Sequence, residues 1–227
     1  WPVVAAPVGM LIYAGPVWQD IAGLLWALAA LTMLVGALGA LPQTNLKRLL
    51  AYSSVVHMGT VLVGLLTQSS AGFAAATFYI LVYAVASLGC FAVIASFAGQ
   101  AGDLQEFADW RGLGRHYPLR CAVLALLLLS LAGLPATAGF IAKFAIFHAA
   151  IQTGMTGLAV IGILSSLISF AFYLRVIVLL FAEEESGKHA NRGCSCEHAV
   201  LAVCASVVVV LGLLPSPLLD LISRLLP

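Results

Sequence analysis

Charge is scarce in this sequence. Asp, Glu, Lys and Arg together supply 8% of the 227 residues, while 63% are hydrophobic. Soluble domains carry roughly 25% charged residues, so a fold with a fully hydrated surface is excluded. The formal net charge is only +1, and without a long basic run there is no electrostatic footprint of a nucleic-acid binder. Also lacking is the alternation of apolar and polar residues, in segments of about ten, that a transmembrane barrel needs. Glycine-rich phosphate loops and clustered cysteine sets are missing as well, so no motif for a nucleotide or an iron–sulfur cluster is visible. What is present is a series of uninterrupted apolar runs, with a mean hydropathy of +1.10. These predict an all-α fold, a polytopic bundle of transmembrane helices.

The sequence opens at Trp1 with neither an initiator Met nor a basic stretch before the first apolar run, so no signal peptide is visible. Either processing or a start inside a longer protein is expected. The five cysteines do not form a secreted framework. Cys90, Cys121 and Cys204 lie in or beside apolar runs, where cysteine behaves as a small hydrophobe. His189, Cys194, Cys196 and His198 resemble a metal set only briefly. Their Cys-x-Cys core is not the two-to-four-residue zinc spacing, so a polar loop is favoured and no metal is expected.

A helix needs about 20 apolar residues to cross the bilayer. Spans are expected near residues 20–41, 49–66, 72–98, 155–181 and 197–214, with residues 1–15 as the end of a truncated preceding helix. The run 119–152 is longer. As one helix its 34 residues would reach about 50 Å, too long for an untilted crossing of about 30 Å. Gly133, Pro135 and Gly139 sit near its middle, and proline both removes a backbone donor and clashes with the preceding turn. One helix broken at 133–138 is therefore expected, because loop charges then alternate.

On that count one side holds Lys47, Arg48, Arg111, Arg115, Arg120, Lys188 and Arg192. The other holds the uncharged "TQSSAG" and "QTGMTG" loops, Asp20, and a tail with Asp220 and Arg224. The positive-inside rule places the loops near 42–48, 99–118 and 182–196 in the cytoplasm or its mitochondrial equivalent.

Away from the ends of the expected spans, where Asp20, Arg120 and Glu197 stand, only Lys143 and Arg175 carry formal charge. A lysine at the centre of a helix costs about 2.5–3.5 kcal/mol on insertion scales. Snorkelling to an interface is one explanation, but Lys143 is some nine residues from either end of 135–152. The functional reading is that a desolvated lysine can gain and lose a proton, beside a helix break of the kind in which transporters build ion sites. His148 could continue such a path or be an ordinary hydrogen-bonded histidine. Arg175, six residues from the end of its span, could equally be snorkelling. Tyr79, Tyr83 and Ser87 recur every four residues on one helix face; with water they could relay protons, and without it they are interhelical hydrogen bonds. His57, one turn from Ser53 and Ser54, is either a titratable relay or, more simply, a packing histidine. For Lys47 and Arg48, anchoring at the membrane surface is sufficient.

Three segments carry a resemblance: "LPQTNLKRLLAYSSVVHMG", "LAGLPATAGFIAKFAIFHAAI" and "AFYLRVIVLLF". In order and spacing they resemble the antiporter-like subunits of respiratory complex I, which are homologous to subunits of Mrp-type cation/proton antiporters. The similarity covers nearly the whole chain. "GFIAKF" is most similar to the N-type "GFIGKF". L-type relatives carry His, His and Lys where Tyr79, Tyr83 and Ser87 stand, and M-type relatives tend to carry Glu in place of Lys143. The resemblance implies two inverted five-helix repeats, each with a broken helix, joined by a hydrated polar axis. It makes Lys143 the broken-helix lysine of the second repeat, in the distal half-channel, and Lys47 the lysine of the "TNLKR" element.

Residues 20–181 then form the second repeat and 197–214 an additional helix, with a separate chain or a missing segment supplying the first repeat. The resemblance implies a proton-translocating subunit of NADH:quinone oxidoreductase with no redox site of its own, in a bacterial plasma membrane or mitochondrial inner membrane. Flavin, iron–sulfur clusters and quinone would belong to other subunits, and the expected partners are other complex I membrane subunits and lipid, not nucleic acid. Two alternatives stay open: a subunit of an Mrp-type sodium/proton antiporter, and a non-transporting structural half-subunit.

Overall fold

The structure, a computed structural model, describes residues 15–97, 104–183 and 195–225. Residues 1–14, with the expected end of a preceding helix, lie outside the described residues, as do the side chains of His189, Cys194, Cys196 and His198.

Among the described residues every regular element is a helix, which agrees with the all-α expectation. Four are long enough to cross a bilayer: α1 (Gly15–Ala40), α2 (Leu46–Leu66), α3 (Ser70–Phe97) and, later in the chain, α8 (Thr156–Leu180). Between α3 and α8 come two four-residue helices, α4 (Phe107–Trp110) and α5 (Leu113–His116). They are followed by α6 (Pro118–Ala132) and α7 (Ala138–Gln152). The last two helices are α9 (Ser195–Leu213) and α10 (Ser216–Leu225).

Local sequence explains the ends. Asn45 caps α2, its side chain accepting from the Arg48 amide at 3.1 Å, as a short polar residue at that position does. Pro118 opens α6, where its missing amide has no partner to lose. Helices α6 and α7 are 15 residues each, or about 22 Å, so neither crosses the apolar core alone. Together they make the discontinuous helix.

Two apolar cores fill the bundle. One gathers Leu49, Cys90, Trp110, Leu124, Leu128 and Phe172 at the end that carries the basic loops. The other gathers Met33, Phe78, Ala142, Ile146 and Leu158 at the opposite end. Tyr83 packs against both, so the seam between them lies at the level of the helix break.

Two features were not expected from the sequence. The stretch after α3 is an ordered cover rather than a plain loop. The Leu46 amide donates to the Gln105 carbonyl at 3.1 Å, Phe107 to Thr44 at 2.7 Å and Gly112 to Leu179 at 3.2 Å. The Asp109 carboxylate accepts from the amides of Gln105 and Glu106 at 3.2 and 3.1 Å. These bonds tie the basic ends of α2 and α8 together. At the other end of the bundle α10 turns about 85° from α9. It sets Ile222, with Leu218 and Leu219, against the second core, leaving Asp220 exposed, as an interfacial amphipathic helix does.

Candidate functional site: a lysine-capped helix break

The last four carbonyls of any α-helix have no partner within it. At the end of α6 these belong to Leu129, Ser130, Leu131 and Ala132. Gly133 turns the chain left-handed, with φ of 89°, a conformation natural to glycine. Its amide donates to Leu129 and Ser130 at 3.1 and 3.0 Å, and the Leu134 amide to Leu129 at 3.0 Å. This is a Schellman end, and it satisfies two of the four carbonyls. The other two are taken by Lys143, whose Nζ donates to Leu131 at 2.9 Å and Ala132 at 3.0 Å.

The ammonium group therefore completes the cap from the second half of the broken helix. It also sits at the negative end of the α6 dipole, where a cation is favoured. Lys143 is buried, at 6% exposure, so its charge has been moved out of water and onto backbone dipoles.

Close approach makes this reach possible. A Cβ on Gly139 would collide with the Ser130 carbonyl oxygen, so only glycine lets α7 cross α6 here. The Gly139 amide donates to Ser130 Oγ at 3.3 Å. Ala136, between the halves, is left-handed without being glycine, with φ of 70°. From outside, Gly212 of α9 packs on the backbone of Ala136 to Ala138, where a Cβ would come within 2.7 Å. Pro135 is exposed at the turn itself.

Beside Lys143 a small cavity of about 10 Å³ is lined by His57, Tyr79, Tyr83, Ser130 and Gly139, with Val82 and Leu131 as apolar walls. A water molecule needs roughly that much space, together with two to four polar partners. His57 is buried at 2% exposure. Its Nδ1 lies 2.7 Å from the Tyr79 hydroxyl and its Nε2 3.2 Å from the Tyr173 hydroxyl. The Tyr83 ring leans on the imidazole, with centroids 4.8 Å apart.

The structure thus gathers Lys143, His57, Tyr79 and Tyr83 from three separate helices, and leaves the other expected residues elsewhere. Ser87 is half-buried and its hydroxyl donates to the Ala84 carbonyl of its own helix at 3.1 Å. His148 is exposed and stacks on Phe144 at 6.0 Å, in an outer groove of about 290 Å³ that Lys143 also borders. Arg175 donates to the Leu41 carbonyl at 3.3 Å and lies 5.1 Å from the Phe107 ring centre, at the basic end of the bundle. Lys47 is half-buried in the first turn of α2. Reading the sequence missed Tyr173 and Ser130, both at 0% exposure. It also missed Arg120, which was counted as a loop cation and is buried at 5%.

A polytopic helical bundle with a discontinuous helix is the architecture of antiporter-like membrane proteins. The comparisons give the family. Residues 4–169 match the model described as NADH:quinone oxidoreductase/Mrp antiporter, transmembrane, and the chain belongs to that family as an integral membrane protein. It is 43% identical to the NADH-quinone oxidoreductase subunit N of Syntrophotalea carbinolica, over 98% of this chain and 47% of that protein. With the subunit N of Mycobacterium bovis it shares 44% identity, over 91% of this chain and 40% of the relative. The chain spans about half the length of the curated relatives it matches.

Among solved structures, respiratory complex I from Thermus thermophilus with bound aureothin superposes with a TM-score of 0.78 at 35% identity. The match covers 87% of this chain and 45% of that one. The Mrp complex from Dietzia has a TM-score of 0.79 at 21% identity, over 91% of this chain and 47% of that one. That likeness is one of fold alone.

Proposed function

We propose that this chain is a proton-translocating part of an N-type membrane subunit of NADH:quinone oxidoreductase, with Lys143 as its proton carrier in the distal half-channel. The observation that carries this reading is the lysine cap. When protonated, Lys143 holds the carbonyls of Leu131 and Ala132. When neutral, it is a weaker partner for them, so gain and loss of one proton is coupled to the grip between α6 and α7. His57, Tyr79 and Tyr83 face it across the small cavity and supply hydroxyl and imidazole groups that can pass a proton.

Residues 20–181 act as the second repeat in this reading and 197–214 as an additional helix, with the first repeat supplied by a preceding segment or a separate chain. Other complex I membrane subunits and lipid surround it, in a bacterial plasma membrane or mitochondrial inner membrane. Flavin, iron–sulfur clusters and quinone are held by other subunits, and this chain holds no redox site.

The test uses the complete complex in proteoliposomes and reads the initial rate of proton uptake driven by NADH. Lys143→Ala and Lys143→Arg should both assemble and lose roughly 100-fold or more of that uptake, the range contributed by a positioned proton-transfer group. The arginine variant keeps charge and donors but does not release a proton. Parental uptake in Lys143→Ala would sink the proposal.

The Mrp-type reading, exchange of sodium for protons without a redox partner, stays open because the family description names both kinds of protein. The 43–44% identity to relatives named as oxidoreductase subunits favours the first reading. Sodium-driven proton flux in vesicles lacking NADH would reverse that preference. The structural half-subunit reading expects Lys143→Met to be silent.

A further inference from the structure

Tyr173 on α8 is wholly buried in the first apolar core, with Ser53 hydrogen-bonded to its hydroxyl; that hydroxyl reaches His57 Nε2 at 3.2 Å, while Tyr79 holds Nδ1 at 2.7 Å. A neutral imidazole carries one N–H and one bare lone pair, whereas a phenol oxygen can both donate and accept. The histidine therefore donates to one tyrosine and accepts from the other. The three side chains have two arrangements with the same number of hydrogen bonds and opposite direction. In one, Tyr79 donates to Nδ1 and Nε2–H donates to Tyr173. In the other, Tyr173 donates to Nε2 and Nδ1–H donates to Tyr79.

Resting on the proton-translocating reading above, we infer that Tyr173 is a further relay group, and that the chain Tyr79–His57–Tyr173 carries a proton from the Lys143 cavity across the bundle to α8. The step balances. One proton arrives at the Tyr79 oxygen from the cavity, and the original Tyr79 proton moves to Nδ1. The Nε2 proton moves to the Tyr173 oxygen, and the original Tyr173 proton leaves to the hydroxyl of Ser53, its other hydrogen-bond partner, which hands its own proton on to water. No charge remains on the three side chains, and the direction of the chain is reversed. It resets when both hydroxyls rotate and the imidazole exchanges its proton between nitrogens.

Tyr79 also borders the cavity that Lys143 lines, whereas Tyr173 does not. The chain thus has one end at the lysine and one away from it, as a transfer route needs. A purely structural network would use the same bonds for packing, and a glutamine separates the two roles. A carboxamide offers a donor and an acceptor and so can bridge both tyrosines, but it cannot exchange them by moving a proton.

The experiment measures the initial rate of NADH-driven proton uptake and thermal stability in the complete reconstituted complex, for the parent, Tyr173→Phe, His57→Gln and Lys143→Ala. Tyr173→Phe and His57→Gln should each lower uptake by about ten-fold, equivalent to one lost bond of about 1.4 kcal/mol along the route, with His57→Gln unchanged in stability. Should Tyr173→Phe fail to assemble, His57→Gln decides alone. Parental uptake in either assembled variant, while Lys143→Ala is inactive, makes Tyr173 a packing residue and overturns the inference while the functional reading stands. Parental uptake in Lys143→Ala removes the reading and the inference with it.

Discussion

Helix α6 meets a buried cation at each end, and the two are held in different ways. Arg120, in the first turn, is 5% exposed and lies over the rings of Phe97 and Tyr117, at 5.4 and 5.7 Å from their centres. Its Nη1 donates to the Ser96 carbonyl at 3.2 Å. A guanidinium is planar, weakly hydrated and always charged, so aromatic faces suit it. It gains nothing from the α6 dipole, whose positive end is here.

Lys143, at the last turn, has the dipole in its favour, two carbonyls as partners, and a cavity with an imidazole and two phenols beside it. Burial of charge is common to both. The capacity to release a proton to a neighbour belongs only to the second. A buried cation in a membrane bundle is thus read by what surrounds it, not by its burial.

The largest effect should come from breaking the lysine end while sparing the arginine end. Gly139→Ala places a methyl on the Ser130 carbonyl, forcing α7 away from α6 and pulling Lys143 off Leu131 and Ala132. Overpacking of this kind costs about 3 kcal/mol or more when the obstacle is backbone. Thermal unfolding of the detergent-solubilised complex should show it, and a parental melting temperature would mean that the two half-helices do not lock as described.

A smaller effect is expected at the other end. Arg120→Met removes the stacking on Phe97 and Tyr117 and leaves the Ser96 carbonyl without this donor, a loss of about 1–3 kcal/mol. Proton uptake per assembled complex should not change. If uptake fell while stability held, Arg120 would belong to the transport path and the contrast between the two ends would collapse.

Much of the architecture was legible because membrane helices announce themselves by length and apolarity. The break was legible because glycine and proline interrupt a run too long to cross once. Lys143 stood out by cost alone. Its partners did not, because no side chain supplies them: they are two carbonyls exposed by the Schellman turn at Gly133, which only the folded chain brings within reach of a residue ten or more positions on.

Tyr173 was hidden for a different reason. No spacing ties the tyrosine of "AFYLR" to a histidine 116 positions earlier, and only the packing of α8 on α2 turns its hydroxyl toward His57. Ser87 was grouped with Tyr79 and Tyr83 by its spacing of four. Each step of four overshoots the 3.6-residue turn, so eight residues drift by about 80° around the helix, and Ser87 leaves the cavity face. The four-residue helices α4 and α5 are too short to show any period. Their cover over α2 and α8 is tied down mainly by backbone bonds to Thr44, Leu46 and Leu179, which no pattern of side chains signals.

The smallest expected effect tests which side of Lys143 matters. The lysine borders two spaces: the inner cavity with His57, Tyr79 and Tyr83, and the outer groove with Phe140, Phe144, Phe147 and His148. Both contain a histidine, so composition does not separate them, but their surroundings do. His57 is buried and bonded at both ring nitrogens. His148 is exposed, with its Nε2 at 3.5 Å from Gln152 Nε2 and its ring flat against Phe144. His148→Gln should cost only the ring stacking, about 0.5 kcal/mol, and keep proton uptake within about two-fold of the parent, because a group outside the path contributes nothing to transfer. A loss as large as that expected for His57→Gln would mean that protons reach Lys143 through the aromatic groove, and that the inner cavity is the dead end.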